Sequence, residues 1–167
     1  MAFAPQAIRL SLVYATLQYE LEVVNSGAER LPELQVHADL SSAHASIDTR
    51  EQLAPSPGQL EVKHTVPALP VGETMHLKGE IRIPLQQIRR LMKGNAQFFV
   101  PLARFCFCSP EGEAVRRVFT VGQHNPNGSG ALASVRLDAG PRNLRELDAR
   151  EIEAARGFAL DPVRAHG

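Results

Sequence analysis

Hydrophobic and polar residues alternate in several separate stretches of the chain, which is the pattern of β-strands with one buried face. The clearest stretch covers residues 75–83, and its polar positions are His76, Lys78, Glu80 and Arg82. The same alternation predicts strands over residues 8–12, 17–23, 34–40 and 115–121, with a weaker strand over 60–66. The pattern therefore predicts an all-β protein.

One stretch, residues 97–108, is apolar on both faces of an extended chain. It contains four of the seven phenylalanines and both cysteines. One face carries Phe99, Ala103, Phe105 and Phe107, and the other carries Phe98, Val100, Leu102, Cys106 and Cys108. A strand that is apolar on both faces is covered on both faces, so this stretch predicts the central strand of a β-sandwich. Its second cover is either the C-terminal segment, which we favour, or a partner protein or second copy.

Two helices are also predicted. Pro84 to Lys93 has apolar residues at helical spacing, with a proline in the first turn and Gly94 after the last. Asn143 followed by Glu146 is a helix-start signature, which predicts a second helix over 143–156.

With seven or eight strands, the chain predicts a single antiparallel sandwich of the immunoglobulin-like class over residues 1–122. Residues 123–167 form a C-terminal extension that is expected to be partly ordered and to pack on the sandwich. Two polar connections, 41–59 and 124–130, are expected to be loops, and the first is predicted to be the mobile one.

Composition narrows the possible partners. The chain has 167 residues, and 18 basic residues balance 18 acidic ones, so there is no general attraction for nucleic acid. The balance is uneven along the chain, with a net charge of −6 over residues 18–81 and +5 over 82–117. No apolar run is long enough for a spanning helix, and no secretory signal is present, so we expect a cytoplasmic or membrane-associated protein facing the cytoplasm.

Five cations form the candidate binding site. Arg89, Arg90 and Lys93 lie on the first predicted helix, and Arg116 and Arg117 lie near the start of the last strand. If the helix packs above that end of the sheet, all five converge on a protein partner or an anionic surface such as phospholipid headgroups. The alternative is a set of solvated charges without a partner.

The two cysteines give a second, different hypothesis. Cys106 and Cys108 lie on one face of a strand about 7 Å apart, which is too far for a relaxed disulfide. With a histidine they could hold a soft metal ion, which would make this a metal-handling protein. The alternative is a pair of small buried thiols.

No pattern in the sequence specifies catalysis. There is no nucleophile elbow or catalytic triad, and the glycines of residues 128–130 lack the preceding strand and following helix of a phosphate-binding loop. The sequence therefore predicts a protein that is not an enzyme, has no cofactor and takes no small-molecule substrate.

Several segments in a fixed order resemble a known family. The stretch 19–27, a strand that closes in Asn25-Ser26-Gly27, resembles the sandwich domains called CARDB-like. A closer similarity is to a family of uncharacterised alphaproteobacterial proteins with one such domain. It rests on residues 69–73, 81–89, 99–102, 118–122, 132–133, 136–138 and 140–142.

The resemblance implies the soluble part of a protein anchored by a short N-terminal membrane helix, and it brings no catalytic residue. This chain departs from the family by lacking that helix, and the positions of Cys106 and Cys108 are not fixed features of the family. Residues and resemblance together predict a non-catalytic binding or scaffolding module.

Overall fold

The computed structural model describes residues 1–112, 114–124 and 132–158, and in these ranges the chain forms two antiparallel sheets. The predicted all-β sandwich is confirmed. The strands are β1 (Ala2–Leu10), β2 (Tyr14–Val24), β3 (Leu34–Ala43), β4 (Glu61–Val66), β5 (Thr74–Pro84), β6 (Leu91–Lys93), β7 (Ala96–Cys108), β8 (Ala114–His124), β9 (Leu132–Ala133), β10 (Val135–Arg136), β11 (Arg142–Leu144) and β12 (Leu147–Glu151). One short helix, α1 (Thr49–Leu53), and three 3-10 turns, Pro57–Gln59, Leu85–Gln87 and Glu153–Gly157, complete the described elements.

The strand order places the doubly apolar stretch in the middle of the larger sheet. The first sheet has the order β11-β1-β2-β5, and the second has the order β12-β8-β7-β3-β4. Two short strands, β6 and β10, also pair with β7, and β9 pairs with β8. Strand β7 thus has β3 on one edge and β8 on the other, which is the central position predicted for residues 97–108.

The main core lies between the two sheets and is rich in aromatic rings. Phe99 and Phe105 of β7 are fully buried there. The ring of Phe3 from β1 crosses the core to contact Phe105 and Phe119, at centroid distances of 5.2 and 4.7 Å. Inward-facing residues of both sheets form one continuous cluster, so the sandwich has a single core.

The outer face of the second sheet is covered by two segments of the same chain. Leu102 of β7 and Val118 of β8 are fully buried against Leu53 of α1 and Ala155. The C-terminal segment thus supplies one part of the cover, and the connection 44–60 supplies the other. The loop was predicted over 41–59, but residues 41–43 belong to β3 and residues 49–53 form α1, in which Leu53 is buried.

The outer face of the first sheet is polar. Lys78 lies 3.4 Å from Glu20 across the β2–β5 pair, and the Gln18 amide donates to Glu80 over 3.2 Å. Exposed side chains of β5 alternate with partly or fully buried residues of the core face. The structure therefore buries one face of this sheet and leaves the other to solvent.

The helix predicted over 84–93 is not formed. Pro84 ends β5, one 3-10 turn follows, and Leu91–Lys93 pairs with the start of β7. Gly94, expected to follow a helix, has a φ of 60° in the tight turn between β6 and β7. A strand beside β7 is stabilised by inter-strand hydrogen bonds, whereas an isolated ten-residue helix is marginal.

The helix predicted over 143–156 is also wrong. Strand β11 pairs with β1, and β12 pairs with β8, so this segment adds one strand to each sheet. Glu146 adopts a φ of 57° between the two strands, a left-handed conformation that interrupts any helix. The half-buried residues Leu147 and Ala149 follow the period of two that strand pairing requires.

The described part of the extension is built into the sandwich. Strands β10, β11 and β12 pair with β7, β1 and β8, and β9 pairs with Gln123 and His124 at the end of β8. The predicted polar loop lies, except for His124, outside the described residues, as does the end of the extension beyond Phe158.

Candidate functional site

Three loops meet at one end of the sandwich, which we call the basic end: residues 11–13, 85–95 and 137–142. The Leu85 amide donates to the Val13 carbonyl over 2.8 Å, and the Leu137 amide donates to the Gln97 carbonyl over 2.8 Å. Arg142 pairs with Leu10 at the end of β1. Strand pairing and these loop contacts therefore bring three distant parts of the chain together.

The basic end carries four cations and one acid. The cations are Arg89, Arg90, Lys93 and Arg142, and the acid is Asp138. Arg136 neutralises Asp138 through an ion pair of 2.8 Å, which lowers the pKa of that carboxyl. None of the four cations has a carboxylate within ion-pair distance in the described part of the chain.

The neighbours of these cations hold them without neutralising them. The Arg89 amide donates to Ser42 Oγ over 3.0 Å, so its backbone is fixed to β3 while its side chain stays exposed. Arg90 donates to the side-chain oxygen of Gln97. The Lys93 ammonium lies 5.4 Å from the centre of the Phe98 ring. Each side chain keeps its full positive charge at the surface.

Exposed apolar residues lie among the cations. Leu12 and Val13, at the tip of the β1–β2 hairpin, are 82% and 59% exposed. Met92, in β6, is 59% exposed. Large apolar side chains at loop tips are costly to expose to water unless they contact something else. The basic end thus combines unneutralised charge with apolar side chains.

The opposite end of the sandwich, which we call the acidic end, comprises loops 25–33, 67–73 and 109–112. The first two of these loops are tied together, since the backbone amide of Asn25 donates to the Glu73 carbonyl and Leu31 bridges to Leu69. Their described residues carry four acids and one base: Glu29, Glu33, Glu73, Glu111 and Arg30. The uneven charge along the sequence therefore becomes a dipole along the strands.

The structure does not bring all five predicted cations together. Arg89, Arg90 and Lys93 lie at the basic end, whereas Arg116 and Arg117 pair with Cys106 and Phe105. Lys93 pairs with Ala96 at the start of β7, nine residues or about 30 Å from Phe105. The Arg89 amide is bound to Ser42, which pairs with Pro101, four residues or about 13 Å from Phe105.

Arg116 is a buried structural residue. It is 3% exposed, and its Nε and Nη2 donate to the Pro55 carbonyl over 3.1 and 2.9 Å. Its Nη1 donates to the Phe158 carbonyl over 3.3 Å. The guanidinium thus fastens two covering segments to the outer face of the second sheet, and it is inaccessible to a surface ligand.

Arg117 is held in an ion-pair network. It forms two hydrogen bonds to the carboxylate of Glu151, of 2.7 and 2.5 Å, and Arg156 binds the same carboxylate. The hydrogen bonds from Arg156 and Arg117 lower the pKa of Glu151 to about 2. The guanidinium of Arg117 is therefore already bound to a carboxylate of the protein, which it shares with Arg156.

The two cysteines are close but protonated. Their sulfur atoms lie 3.7 Å apart, nearer than strand spacing predicted. Burial, with smaller contributions from Cys108, raises the pKa of Cys106 to about 12, and burial also raises the pKa of Cys108. Thiols of this kind are weak ligands at neutral pH, because a metal ion binds the thiolate.

A histidine lies next to the thiols. His37 of β3 pairs directly with Cys106, and its buried Nδ1 has no hydrogen-bond partner. In the described ranges, however, no three side chains of the metal-binding types are grouped so as to hold an ion. The metal-handling alternative stays a prediction, and a rise in unfolding temperature on adding Zn²⁺ would favour it.

A cavity of about 590 Å³ lies at the seam between β5 and β3. Two pairs of its charged groups are joined, since Arg104 forms a bidentate ion pair with Asp39, and Lys63 lies 3.2 Å from Glu61. Arg82 also lines the cavity, and its guanidinium lies 4.2 Å from the centre of the Tyr14 ring. The two ion pairs hold four of the charged side chains of the cavity within the protein.

Comparisons with protein-family models, with curated proteins and with solved structures found no match to this chain. Across the described ranges no helix has the length and apolar character needed to cross a membrane.

Sequence reasoning missed part of the basic end. Leu12 was assigned to the first strand, although it lies in a hairpin tip, and Met92 was assigned to a helix. The sequence does not show that Arg142 belongs to this end, because its neighbours in space are distant along the chain. The adjacent apolar residues Leu12 and Val13 interrupt the alternating pattern after Ser11. This interruption is the feature of the sequence that could have indicated an exposed hairpin tip.

Proposed function

We propose that this domain is a non-catalytic binding module that docks its basic end on an anionic phospholipid surface. The observation that carries the proposal is the coincidence of four unneutralised cations with the exposed side chains of Leu12, Val13 and Met92. Basic residues attract anionic headgroups, and apolar tips can enter the boundary between headgroups and acyl chains.

The expected affinity is modest. Each Lys or Arg near an anionic surface contributes about 1 kcal/mol, so four contribute about 4 kcal/mol. Charge alone thus corresponds to a dissociation constant of about 1 mM. Burial of the apolar tips, or a second attachment, is needed for stable binding, and the electrostatic part weakens as salt shortens the screening length.

The test is co-sedimentation of the full chain with vesicles of phosphatidylcholine alone and with added phosphatidylserine. We expect binding only to the anionic vesicles, with weaker binding at higher salt. Reversal of three charges at the basic end, Arg89→Glu, Arg90→Glu and Lys93→Glu, should reduce affinity about a hundredfold or more.

The chain offers a matched control at the acidic end. The variant Glu29→Lys, Glu33→Lys, Glu73→Lys changes the same number of exposed charges and leaves the basic end intact. It should bind as well as the unaltered chain or better. Equal loss of binding in both variants, or equal binding to neutral vesicles, would refute the proposal.

The immunoglobulin-like class of the sandwich is part of the proposal. The support is the strand order, because β1-β2-β5 and β8-β7-β3 match the A-B-E and G-F-C orders of that class. An experimental structure with β3 hydrogen-bonded to β2 instead of β7 would contradict it. Membership of the CARDB-like alphaproteobacterial family is proposed on the same strand order and the segments quoted above.

The membrane helix implied by the family resemblance is a separate proposal. Ala2 pairs with Glu22, and Glu22 with His76, so β1 begins towards the acidic end. A helix joined directly to β1 would hold the acidic end at its membrane, about 30 Å from the basic end. The vesicle experiment on this chain therefore reports on the basic end alone.

A further inference from the structure

Strand β5 is an unusually open sheet edge. It has eleven residues, pairs with β2 alone among the described strands, and shows no bulge in that pairing. Among the other outermost strands described, β11 and β12 have three and five residues, and β4 has an irregular register against β3. Long regular edges favour pairing with another strand, and natural proteins usually block them.

The direction of the backbone groups at this edge follows from two hydrogen bonds that flank the strand. The backbone amide of Asn25 donates to the Glu73 carbonyl, and the backbone amide of Leu85 donates to the Val13 carbonyl. The register between these two bonds is regular, so the odd-numbered residues from 73 to 85 direct their backbone groups towards β2. Because the direction alternates in an antiparallel pair, the even-numbered residues direct theirs away from it: His76, Lys78, Glu80 and Arg82.

We propose that this edge pairs with β5 of a second copy of the chain, antiparallel and centred on Gly79. In this register all eleven residues of β5 lie opposite a residue of the second copy, with Thr74 opposite its Pro84. Lys78 lies opposite Glu80 of the second copy, and the two-fold symmetry repeats this pair. The outward backbone groups of both residues face each other, so the pair can exchange two hydrogen bonds.

Charge distinguishes this register from its neighbours. Centring on Glu80 would place the two Glu80 side chains opposite each other and Lys78 opposite Arg82, which are repulsive pairs. Centring on Ile81 would pair Glu80 with Arg82, but it would shorten the overlap to seven residues. It would also bring Pro84, which has no amide hydrogen, opposite Lys78.

The charge distribution of the whole domain favours the same arrangement. Strand β5 runs from the acidic end to the basic end, so antiparallel pairing sets the acidic end of one copy beside the basic end of the other. The two dipoles then oppose each other, which is the attractive side-by-side orientation. Parallel pairing of the two copies would bring like ends together.

The experiment is sedimentation velocity of the full chain over a range of concentrations. We expect a monomer–dimer equilibrium that Lys78→Glu and Glu80→Lys each weaken by about tenfold, because each creates two like-charge pairs. The double variant Lys78→Glu, Glu80→Lys restores opposite charges and should recover dimerisation. Arg150→Glu, an exposed charge on the other sheet, is the matched control and should leave the dimer unchanged.

A proline variant tests the backbone pairing. His76→Pro removes an outward-facing amide and leaves the bonds to β2, so it should keep the unfolding temperature of the monomer near its original value and abolish the dimer. A chain that is monomeric at all concentrations would overturn the inference. A dimer that persists unchanged in both single charge variants would overturn it as well.

Discussion

The hydroxyl oxygen of Tyr19 lies 2.8 Å from Nε2 of His64, and this hydrogen bond joins the first sheet to the second. Tyr19 is almost fully buried in β2, and its burial raises the pKa of the phenol. The hydroxyl passes beneath Gly79, which is the residue opposite Tyr19 in β5. A glycine there is thus a packing requirement of the tyrosine.

Gly79→Ala should destabilise the domain. A Cβ atom at this position would lie 2.6 Å from the Tyr19 hydroxyl oxygen and 2.9 Å from His64 Nε2. Overpacking of this kind costs about 1–3 kcal/mol, measured as the free energy of unfolding in urea. Gly58→Ala, which has nothing within 4 Å of the added atom, is the control. Equal stability of the two variants would contradict the contact.

The same contact predicts a pH dependence. Burial, and to a lesser extent the charge of Lys63, lowers the pKa of His64 below its usual 6.5. The unfolded chain therefore binds a proton at a pH where the folded chain does not, and stability falls as pH drops below about 6.5. Unfolding free energies at several pH values should show a smaller dependence in His64→Gln. An unchanged pH dependence in His64→Gln would contradict this assignment.

The buried and exposed arginines should differ in their effect on stability. Arg116→Ala would leave the Pro55 and Phe158 carbonyls without their donor, which should cost about 2 kcal/mol or more. Arg89→Ala removes an exposed side chain and should change stability by less than about 0.5 kcal/mol. Thermal and urea unfolding measure both. If Arg89→Ala lowered the free energy of unfolding more than Arg116→Ala, the structural role of Arg116 would be refuted.

The thiols should react slowly in the folded protein. Cys106 is fully buried with its pKa raised to about 12, and Cys108 is partly exposed with its pKa also raised. Because the thiolate is the reactive form, we expect slow labelling by a disulfide reagent, with Cys108 ahead of Cys106. Labelling of single-cysteine variants checks the order. Labelling rates in the folded protein equal to those of the chain unfolded in urea would contradict this prediction.

The central strand could be predicted because burial on both faces leaves its mark on a single local stretch. Residues 97–108 are apolar at nearly every position, and only a strand between two layers needs that composition. The helices could not be predicted correctly for the opposite reason. The spacing of Leu85, Ile88 and Leu91 suits a helix, but pairing of Leu91–Lys93 with β7 decides the structure, and that contact depends on the fold.

The candidate site was predictable in part. Arg89, Arg90 and Lys93 are near each other in sequence and remain together at the basic end. Arg116 and Arg117 look equally available in the sequence. In the structure, however, each binds a carbonyl or carboxylate group more than 30 residues away, and the sequence does not indicate these contacts. Sequence alone does not distinguish a solvated cation from one that fastens a covering segment.

The orientation of the domain on an anionic surface can be measured directly, because the chain has no tryptophan. Leu12→Trp places a single fluorophore at the basic end, and Val71→Trp places one at the acidic end, where the native side chain is 53% exposed. Phosphatidylserine vesicles should shift the emission of Leu12→Trp to the blue, with quenching by spin-labelled lipid, and leave Val71→Trp unchanged. No shift in Leu12→Trp, or an equal shift in both variants, would contradict docking through the basic end.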